Sequence, residues 1–162
     1  MGLTQETLKE FLFYDFVTGA FCWLKSYRNQ RIGKDVGSFD KDGYRSIVIK
    51  RKIYRAHRLA WFYMYGKWPS GPLDHIDGNR DNNAIANLRE VTFSGNSQNQ
   101  RCAHRDSKFG KLGVDKLSHR KLFRARIQCD GKRVTLGYFK TPEEAHSAYV
   151  MAKRAFHETC TI

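Results

Sequence analysis

The run LDHIDGNRDNN at residues 73–83 constrains this chain more than any other part of it. Its apolar start predicts a strand from Leu73 to Ile76. The triplet Asp77-Gly78-Asn79 is typical of a turn, so the strand should lead into a long polar loop over residues 77–86. Polar side chains thus crowd the end of a short strand.

Two more asparagines follow the run. Asn87 lies 12 residues after His75, and Asn96 lies 9 residues after Asn87. Residues 88–91 predict a second strand, and a helix over residues 92–101 should begin at a threonine or serine cap. The sequence therefore predicts two strands, a long loop between them and a helix that carries Asn96.

These residue types suit the hydrolysis of a phosphodiester, which needs an activated water, a Lewis acid and help for the departing oxygen. His75, neutral near pH 7, suits the role of general base. Asp74 precedes it on the same strand, so the two side chains should point to opposite faces unless the strand end bends. Aspartate and asparagine offer oxygen ligands, which favour magnesium or manganese over zinc. The alternative is a turn rich in Asp and Asn with a solvent-exposed histidine.

The arrangement resembles the HNH endonuclease family, and within it the phage homing-type members, whose ββα-metal site is two strands, a long loop and a helix. The resemblance covers roughly residues 13–101. It rests on residues of the run itself and on aromatic and basic residues upstream. These are residues 74–79, Asn82, Asn83, residues 87–89, Asn96 and Asn99, with Tyr44, residues 54–61, Trp68 and Pro69.

The resemblance implies a role for each polar residue. His75 would activate the attacking water, and Asn87 would brace the loop and orient His75 by hydrogen bonding. Asp74 and Asn96 would hold one divalent cation per site, Mg²⁺ or Mn²⁺. Many family members have histidine where this chain has Asn96, and an amide oxygen favours magnesium over zinc. Two alternative ligands lie within a turn of it, Asn99 and Gln100.

The remaining histidines are not assigned to catalysis. His57 lies on the helix predicted before the run, where a structural or phosphate-contacting role is favoured. The others are expected at the surface, His104, His119, His146 and His157.

The charge predicts the kind of partner. The 162 residues include 29 Lys and Arg against 16 Asp and Glu, and the net charge of +13 indicates a polyanion, most often nucleic acid. Residues 1–56 and 102–162 carry net charges of +5 and +7, whereas residues 57–101 carry +1. A nearly neutral centre between basic flanks suits a metal site between two DNA-binding segments. The alternative is a solvated basic surface without a ligand.

Composition excludes several other classes. Hydrophobic residues make up 41% and aromatic residues 14%, enough for a packed core in one medium domain or two small ones. No apolar run approaches the roughly 18 residues of a membrane span, and no signal-peptide pattern begins the chain. The four cysteines are scattered, which favours free thiols over a zinc ribbon or disulfides. We therefore expect a soluble, cytoplasmic protein, neither secreted nor bound to a membrane.

Upstream of the run, the pattern predicts two helices and two hairpins. They are a helix over residues 4–13, a hairpin over 13–23, a polar loop over 26–42, a hairpin over 43–55 and a helix over 56–65. Gly66 supplies the stop of the second helix.

After a polar linker over residues 102–111, the pattern predicts a small three-stranded antiparallel sheet packed on one helix. The strands are expected at about 112–116, 122–128 and 132–139, with a hairpin turn at Asp130-Gly131. Thr141-Pro142 followed by Glu144 predicts a capped helix start. One apolar stripe of this helix should pack on the sheet, Ala145, Ala148, Tyr149, Ala152 and Phe156.

Alternation along the second and third of these strands divides their residues between two faces. The inner set is Phe123, Ala125, Ile127, Val134, Leu136 and Tyr138, and the outer set is Arg124, Arg126, Gln128, Arg133 and Thr135. Arginine can bind guanine edges and glutamine adenine, so the outer face could lie in the major groove of DNA. Basic residues before the second strand would contact phosphates, Lys116, Arg120 and Lys121. The alternative is an outer face that is simply solvated.

This segment resembles the DNA-binding domain of plant ethylene-response (APETALA-type) factors over about residues 108–158. The matching residues are 112–114, 123–125, 131–132, 136–139 and 141–149. An aromatic residue expected shortly after Val114 is replaced here by residues 115–117, Asp-Lys-Leu. The resemblance implies a DNA-binding module that positions the nuclease.

The sequence thus predicts an α+β protein with an HNH endonuclease domain at 1–101, its metal-site core at 72–101, and an APETALA-type domain at 112–162. We expect it to hydrolyse double-stranded DNA, one strand per active site, without a small-molecule cofactor. The alternative from another class is a non-catalytic, sequence-specific DNA-binding regulator. RNA is a weaker third possibility, since nothing resembles an RNA-stacking motif. The target sequence, the oligomeric state and the choice between a nick and a double-strand break stay open.

Overall fold

Two units make up the chain in a computed structural model, Met1–Thr92 and Phe93–Ile162, and each is described by itself. The structure describes residues 2–25, 32–33, 36–93, 95, 109–117, 121–129 and 131–157. Small antiparallel sheets and separate helices confirm the α+β class. None of the described helices is long and apolar enough to cross a bilayer. The boundary at residue 101 and the linker stay predictions, because residues 96–108 lie outside the described ranges.

The first unit begins with helix α1, Gln5–Phe11, where the Thr4 hydroxyl accepts a capping hydrogen bond from the Thr7 N–H at 3.2 Å. Strands β1, Leu12–Tyr14, and β2, Phe21–Trp23, form the predicted hairpin directly after it. Their alternate residues are buried, as a strand with one face on a core requires. The predicted N-terminal helix and hairpin are therefore confirmed, with the helix two residues shorter at its end.

The second hairpin belongs to a three-stranded sheet. Its strands are β3, Ser38–Phe39, β4, Arg45–Ile49, and β5, Lys52–Arg55. Lys50 and Arg51 in the turn have φ values of 48° and 67°, the left-handed conformations that a tight two-residue hairpin requires. The prediction of a continuous loop over 26–42 was wrong at β3, because two residues are too few to show an alternation.

Helix α2, Ala56–Tyr65, completes the core of this unit. It ends at Gly66, whose φ of 69° lets its N–H bond to the Phe62 carbonyl at 3.0 Å. Its buried apolar residues pack with those of α1, both hairpins and the strand after the polar loop. This core comprises Leu8, Leu12, Tyr14, Phe21, Trp23, Val36, Ile47, Ile49, Ala56, Leu59, Ala60, Phe62 and Leu88.

Two short strands hold the ends of the polar loop. Strand β6, Leu73–His75, pairs antiparallel with β7, Leu88–Glu90. A 3-10 turn over Ile85–Asn87, which the sequence did not predict, leads from the loop into β7. Most of the helix predicted after β7 lies outside the described residues.

The second unit has the predicted sheet and helix. Strands β8, Val114–Lys116, β9, Phe123–Cys129, and β10, Lys132–Phe139, are antiparallel with β9 in the middle. Helix α3, Pro142–Phe156, begins with the predicted capping box of Thr141 and Glu144. The helix lies so close to the chain before β8 that a Cβ on Gly113 would stand 2.0 Å from the Tyr149 ring.

A β-bulge in β10 changes which residues share a face. Thr135 pairs with Arg126, and Gly137 pairs with Ala125, the residue before Arg126 in β9. Leu136 is therefore one extra residue in β10 between these two pairs. Tyr138 consequently pairs with Arg124 and is 52% exposed on the outer face. The assignment of Tyr138 to the inner set was wrong, because a single extra residue inverts the alternation beyond it.

The buried side of α3 follows steps of four residues, Ala145, Tyr149 and Lys153, and continues to His157. Such steps drift by about 40° around a helix of 3.6 residues per turn, so the helix crosses the sheet obliquely. Two predictions were wrong for this reason. Phe156 is 64% exposed rather than packed, and His157 is buried rather than at the surface.

Gly19 in the turn between β1 and β2 should tolerate no side chain. Its φ is 78°, and a Cβ there would lie 2.3 Å from the Ala84 nitrogen and 2.4 Å from the Asn83 carbonyl carbon. We expect Gly19→Ala to lower the free energy of unfolding by about 3 kcal/mol, the sum of backbone strain and collision.

Gly43→Ala is the matched control, since its φ is 82° but nothing lies within 4 Å of its added Cβ. It should cost only about 1 kcal/mol. Urea unfolding followed by tryptophan fluorescence measures both, and equal costs would contradict the close approach at Gly19.

Candidate active site and nucleic-acid interface

Reciprocal hydrogen bonds between Asp77 and Asn87 close the polar loop, residues 77–86. The Asn87 amide oxygen accepts from the Asp77 N–H at 3.0 Å, and its nitrogen donates to the Asp77 carboxylate at 3.0 Å and to the Asn82 carbonyl at 2.8 Å. The Asn82 side chain and the Asn79 N–H donate to the same carboxylate. Burial acts to raise the pKa of Asp77, but these hydrogen bonds outweigh it and the pKa is lowered. The bracing contacts expected of Asn87 are thus present.

His75 lies inside the unit at the end of β6, with 4% of its surface exposed. Its Nε2 is 3.3 Å from the Oδ1 of Asn83. Burial lowers the pKa of His75, although the hydrogen bond with Asn83 and the carboxylates of Asp77 and Asp74 act in the opposite direction. The imidazole is therefore neutral at pH 7, the form that a general base needs. Asn83, rather than Asn87, is its hydrogen-bond partner.

Tyr44 forms the centre of a cluster of rings and guanidinium groups beside His75. The rings of His57 and His75 lie 5.4 and 6.0 Å from the Tyr44 ring and 5.3 Å from each other. The guanidinium groups of Arg55 and Arg80 each lie 4.9 Å from the centre of the Tyr44 ring. Because Arg80 belongs to the polar loop, its cation–π contact fastens the loop to Tyr44, directly before β4.

His57 has the surroundings of a structural residue. It is 8% exposed, and its Nδ1 has no hydrogen-bond partner among the described residues. Burial lowers the pKa of His57 to about 3, and the neighbouring His75 adds to that effect. A neutral imidazole packed on His75 suits the structural role favoured from the sequence.

Asp74 lies on the other side of the β6 pleat, because the burial of Leu73, Asp74 and His75 alternates. Across the strand pair, one carboxylate oxygen of Asp74 accepts from the Nε and Nη2 of Arg89 at 3.1 and 2.8 Å. The Asp74 side chain is 12% exposed. His75 and Asp74 are thus neighbours in sequence with different surroundings, as expected from the strand.

The structure describes the predicted metal site only in part. Asn96, Asn99 and Gln100 lie outside the described residues, so of the predicted ligands only Asp74 is placed. Its carboxylate is an oxygen donor of the kind that Mg²⁺ and Mn²⁺ prefer, so it fits the predicted ion. Within the described ranges, no group of three or more His, Cys, Asp or Glu side chains could hold a metal ion.

The second unit carries most of its predicted DNA-contacting residues on the face of the sheet away from α3, here called the outer face. Register places them together, since directly paired residues share a face. Arg133 pairs with Gln128, Thr135 with Arg126 and Tyr138 with Arg124. Lys121 is exposed before β9, and Lys116 is exposed at the end of β8 opposite Phe123. Arg120 lies outside the described residues.

An acidic residue, Asp115, lies among the arginines of the outer face. It pairs with Arg124 across β8 and β9, and one oxygen accepts from the Arg124 Nη2 at 2.6 Å. The other oxygen is 3.1 Å from the Arg126 Nε. The hydrogen bond from Arg124 lowers the pKa of Asp115 against the effect of burial. Asp115 therefore holds both guanidinium groups in place and offsets part of their charge.

Sequence reasoning missed three of these residues. Asn83 was quoted as part of the motif without a role, because nothing in a sequence shows which amide faces His75. Asp115 was noted only as a departure from an expected aromatic residue, although an aspartate one strand away from two arginines is a signal of ion pairing. Tyr138 was hidden by the bulge, for which the Leu136-Gly137 pair is a weak signal.

Comparison with known proteins assigns the segment around the polar loop. Residues 54–98 match the family model described as HNH endonuclease. The match of this segment to the HNH endonuclease family agrees with the resemblance of its motif residues. DNA endonuclease I-HmuI of Bacillus phage SP01 is 42% identical over 65 residues, which cover 37% of this chain and 37% of that protein. Protein 3.8 of Escherichia phage T7 is 28% identical over 109 residues, which cover 60% of this chain and 89% of that protein.

A solved structure that describes DNA binding and cleavage by the HNH homing endonuclease I-HmuI matches this chain with 23% sequence identity and a TM-score of 0.44. That match covers 91% of this chain and 88% of the other. The family model ends at residue 98, and the resemblance of the C-terminal segment to ethylene-response factors stays a prediction.

The burial of His57 predicts an acid-sensitive first unit. Since the pKa of His57 is about 3 in the folded protein and 6.5 ordinarily, only the unfolded chain binds its proton between these values. The free energy of unfolding should therefore fall as the pH drops below 6.5, by about 2 kcal/mol between pH 7 and pH 5 from this residue.

Urea unfolding at several pH values tests this through tryptophan fluorescence, because Trp23, Trp61 and Trp68 all lie in the first unit. His57→Gln should flatten the pH dependence, whereas His146→Gln in the second unit should leave it unchanged. The same pH dependence in wild type and His57→Gln would exclude His57 as its source.

Proposed function

We propose that the protein is a metal-dependent DNA endonuclease that cuts one strand of double-stranded DNA per active site. The observation that carries the proposal is His75, a buried imidazole kept neutral at pH 7, within a segment that matches the HNH endonuclease family. The I-HmuI relative supports DNA as the substrate, because it is a DNA endonuclease by name. The chain spans 37% of that relative's length in the match.

In the proposed reaction His75 takes a proton from the attacking water. Its lowered pKa leaves the ring unprotonated and ready to accept that proton. Asn87 and Asp77 keep the polar loop closed, and Arg80 with Tyr44 anchors the loop on its other side. The exposed guanidinium of Arg80 also offers a positive charge near His75 that suits the backbone of DNA.

Asp74 is proposed as one ligand of a divalent cation, Mg²⁺ or Mn²⁺, with Asn96 as the other. A carboxylate oxygen and an amide oxygen form a donor set for these ions. When bound, such a cation supplies a Lewis acid for the phosphate and stabilises the departing oxygen. Arg89 orients the Asp74 carboxylate across the strand pair through two hydrogen bonds to one of its oxygens.

The second unit is proposed to direct the nuclease to its DNA target. Arg124, Arg126, Gln128, Arg133 and Thr135 form a polar sheet face with side chains that bind base edges. Asp115 restrains the first two, so that less side-chain freedom is lost when they meet DNA. Tyr138 adds an exposed aromatic ring to the same face.

Cleavage of a supercoiled plasmid tests the nuclease. We expect conversion to open circle with Mg²⁺ and none with EDTA, and at least about a 100-fold slower conversion by His75→Ala, because general-base catalysis is lost. His75→Ala should still shift the mobility of DNA, and His146→Gln should cut like the wild type. Wild-type protein that shifts DNA but never cuts it would favour the non-catalytic regulator, and a linear product would indicate paired active sites.

The outer face predicts a division between specificity and affinity. Arg126→Ala should relax sequence preference by about 10-fold, whereas Lys121→Ala should weaken binding to all sequences alike and reduce the salt slope by about one. A preferred site is first selected from random duplexes, and fluorescence anisotropy then compares it with a scrambled duplex over a range of salt. Equal effects of the two variants on preference and on affinity would contradict the division.

A further inference from the structure

Asn83 is fixed in a single orientation by the backbone of its own loop. It is 1% exposed, and its Nδ2 donates to the Asp81 carbonyl at 3.0 Å. A carbonyl oxygen only accepts hydrogen bonds, so the amide must turn its nitrogen to Asp81. Its oxygen then faces His75, 3.3 Å from Nε2.

This orientation determines where His75 carries its proton. The Asn83 oxygen only accepts, so the partner nitrogen, Nε2, must hold the hydrogen. A neutral imidazole has one N–H, and its other nitrogen, Nδ1, therefore keeps a lone pair. We propose that Asn83 is a positioning residue, which fixes His75 as the Nε2–H tautomer and makes Nδ1 the atom that accepts the proton of the attacking water.

The N-terminal hairpin in turn holds Asn83. The Tyr14 hydroxyl donates to the Asn83 carbonyl at 2.7 Å, and burial raises the pKa of Tyr14, so this donor stays protonated. The Tyr14 ring stacks on Phe21 with 4.7 Å between their centres. Gly19 approaches the Asn83 backbone so closely that any Cβ would collide with it. The hairpin therefore positions the base from a distance, through the backbone of Asn83.

The tautomer of His75 does not depend on the proposed function. The catalytic role of Nδ1 does rest on the proposed function. Without the acceptor at Asn83, His75 would distribute its proton between both nitrogens, and only part of the molecules would present Nδ1 as a base. We expect Asn83→Leu to lower kcat by about 10- to 100-fold and to leave KM for DNA unchanged. A purely structural loss would instead reduce the amount of folded enzyme or weaken DNA binding.

The tautomer is measured directly by long-range ¹H–¹⁵N correlation of the imidazoles in the full chain at pH 7, without DNA. His75 is identified by the signal that His75→Ala removes. The wild type should show Nε2–H alone, Asn83→Leu a mixture of tautomers, and Tyr14→Phe an intermediate shift towards that mixture. Asn82→Ala is the control, because that amide comes from the same loop but contacts Asp77 rather than His75.

A wild-type His75 in the Nδ1–H form, or already mixed, would overturn the proposal even if no variant folded. So would an Asn83→Leu variant that keeps Nε2–H alone. Plasmid cleavage separates the two ideas. If the wild type cleaves DNA but His75 is not in the Nε2–H form, the proposed role of Asn83 is wrong and the nuclease proposal stands. If His75 is in the Nε2–H form but the protein does not cleave DNA, the nuclease proposal is wrong and Asn83 is still the residue that orients His75.

Discussion

The hydrogen bonds between Asp77 and Asn87 are the constraint on which the site depends. Strands β6 and β7 have three residues each, too few to define a stable pair by themselves. Asp77 lies where the loop leaves β6, and Asn87 lies where the loop enters β7. The hydrogen bonds between them join the two ends of the polar loop and close it. The backbone carbonyl of Asn82 accepts from Asn87 within this closed loop, and the next residue, Asn83, faces His75.

The core of the first unit and its polar site support each other. Tyr14 belongs to the hydrophobic core, yet its hydroxyl donates a hydrogen bond to the loop. The guanidinium group of Arg80, which belongs to the loop, lies over the ring of Tyr44. Aromatic residues can do this because one part of the side chain is apolar and another part is polar or attracts cations. The burial that keeps His75 neutral is thus supplied by the same packing that stabilises the unit.

The basic second unit combines attraction with restraint. A net charge of +13 suits a polyanionic partner, but charge alone does not distinguish one nucleic-acid sequence from another. The negative charge of Asp115 offsets part of the positive charge of the outer face. Its hydrogen bonds also hold Arg124 and Arg126 in defined directions. In the proposed DNA-binding role, such restraint would favour specific contacts over non-specific ones, because the directions of the guanidinium groups are set before binding.

The α+β class, the two hairpins, the helix capped by Thr141 and the residues of the HNH motif could be predicted from the sequence, because caps, turns and alternation are local signals. Three features could be seen only in the folded chain: Asn83 faces His75, Asp115 contacts two arginines, and Tyr138 lies on the same face as those arginines. These depend on register, on one extra residue in β10 and on which amide atom meets which partner. Contacts between residues distant in sequence fix such details, and no local pattern encodes them.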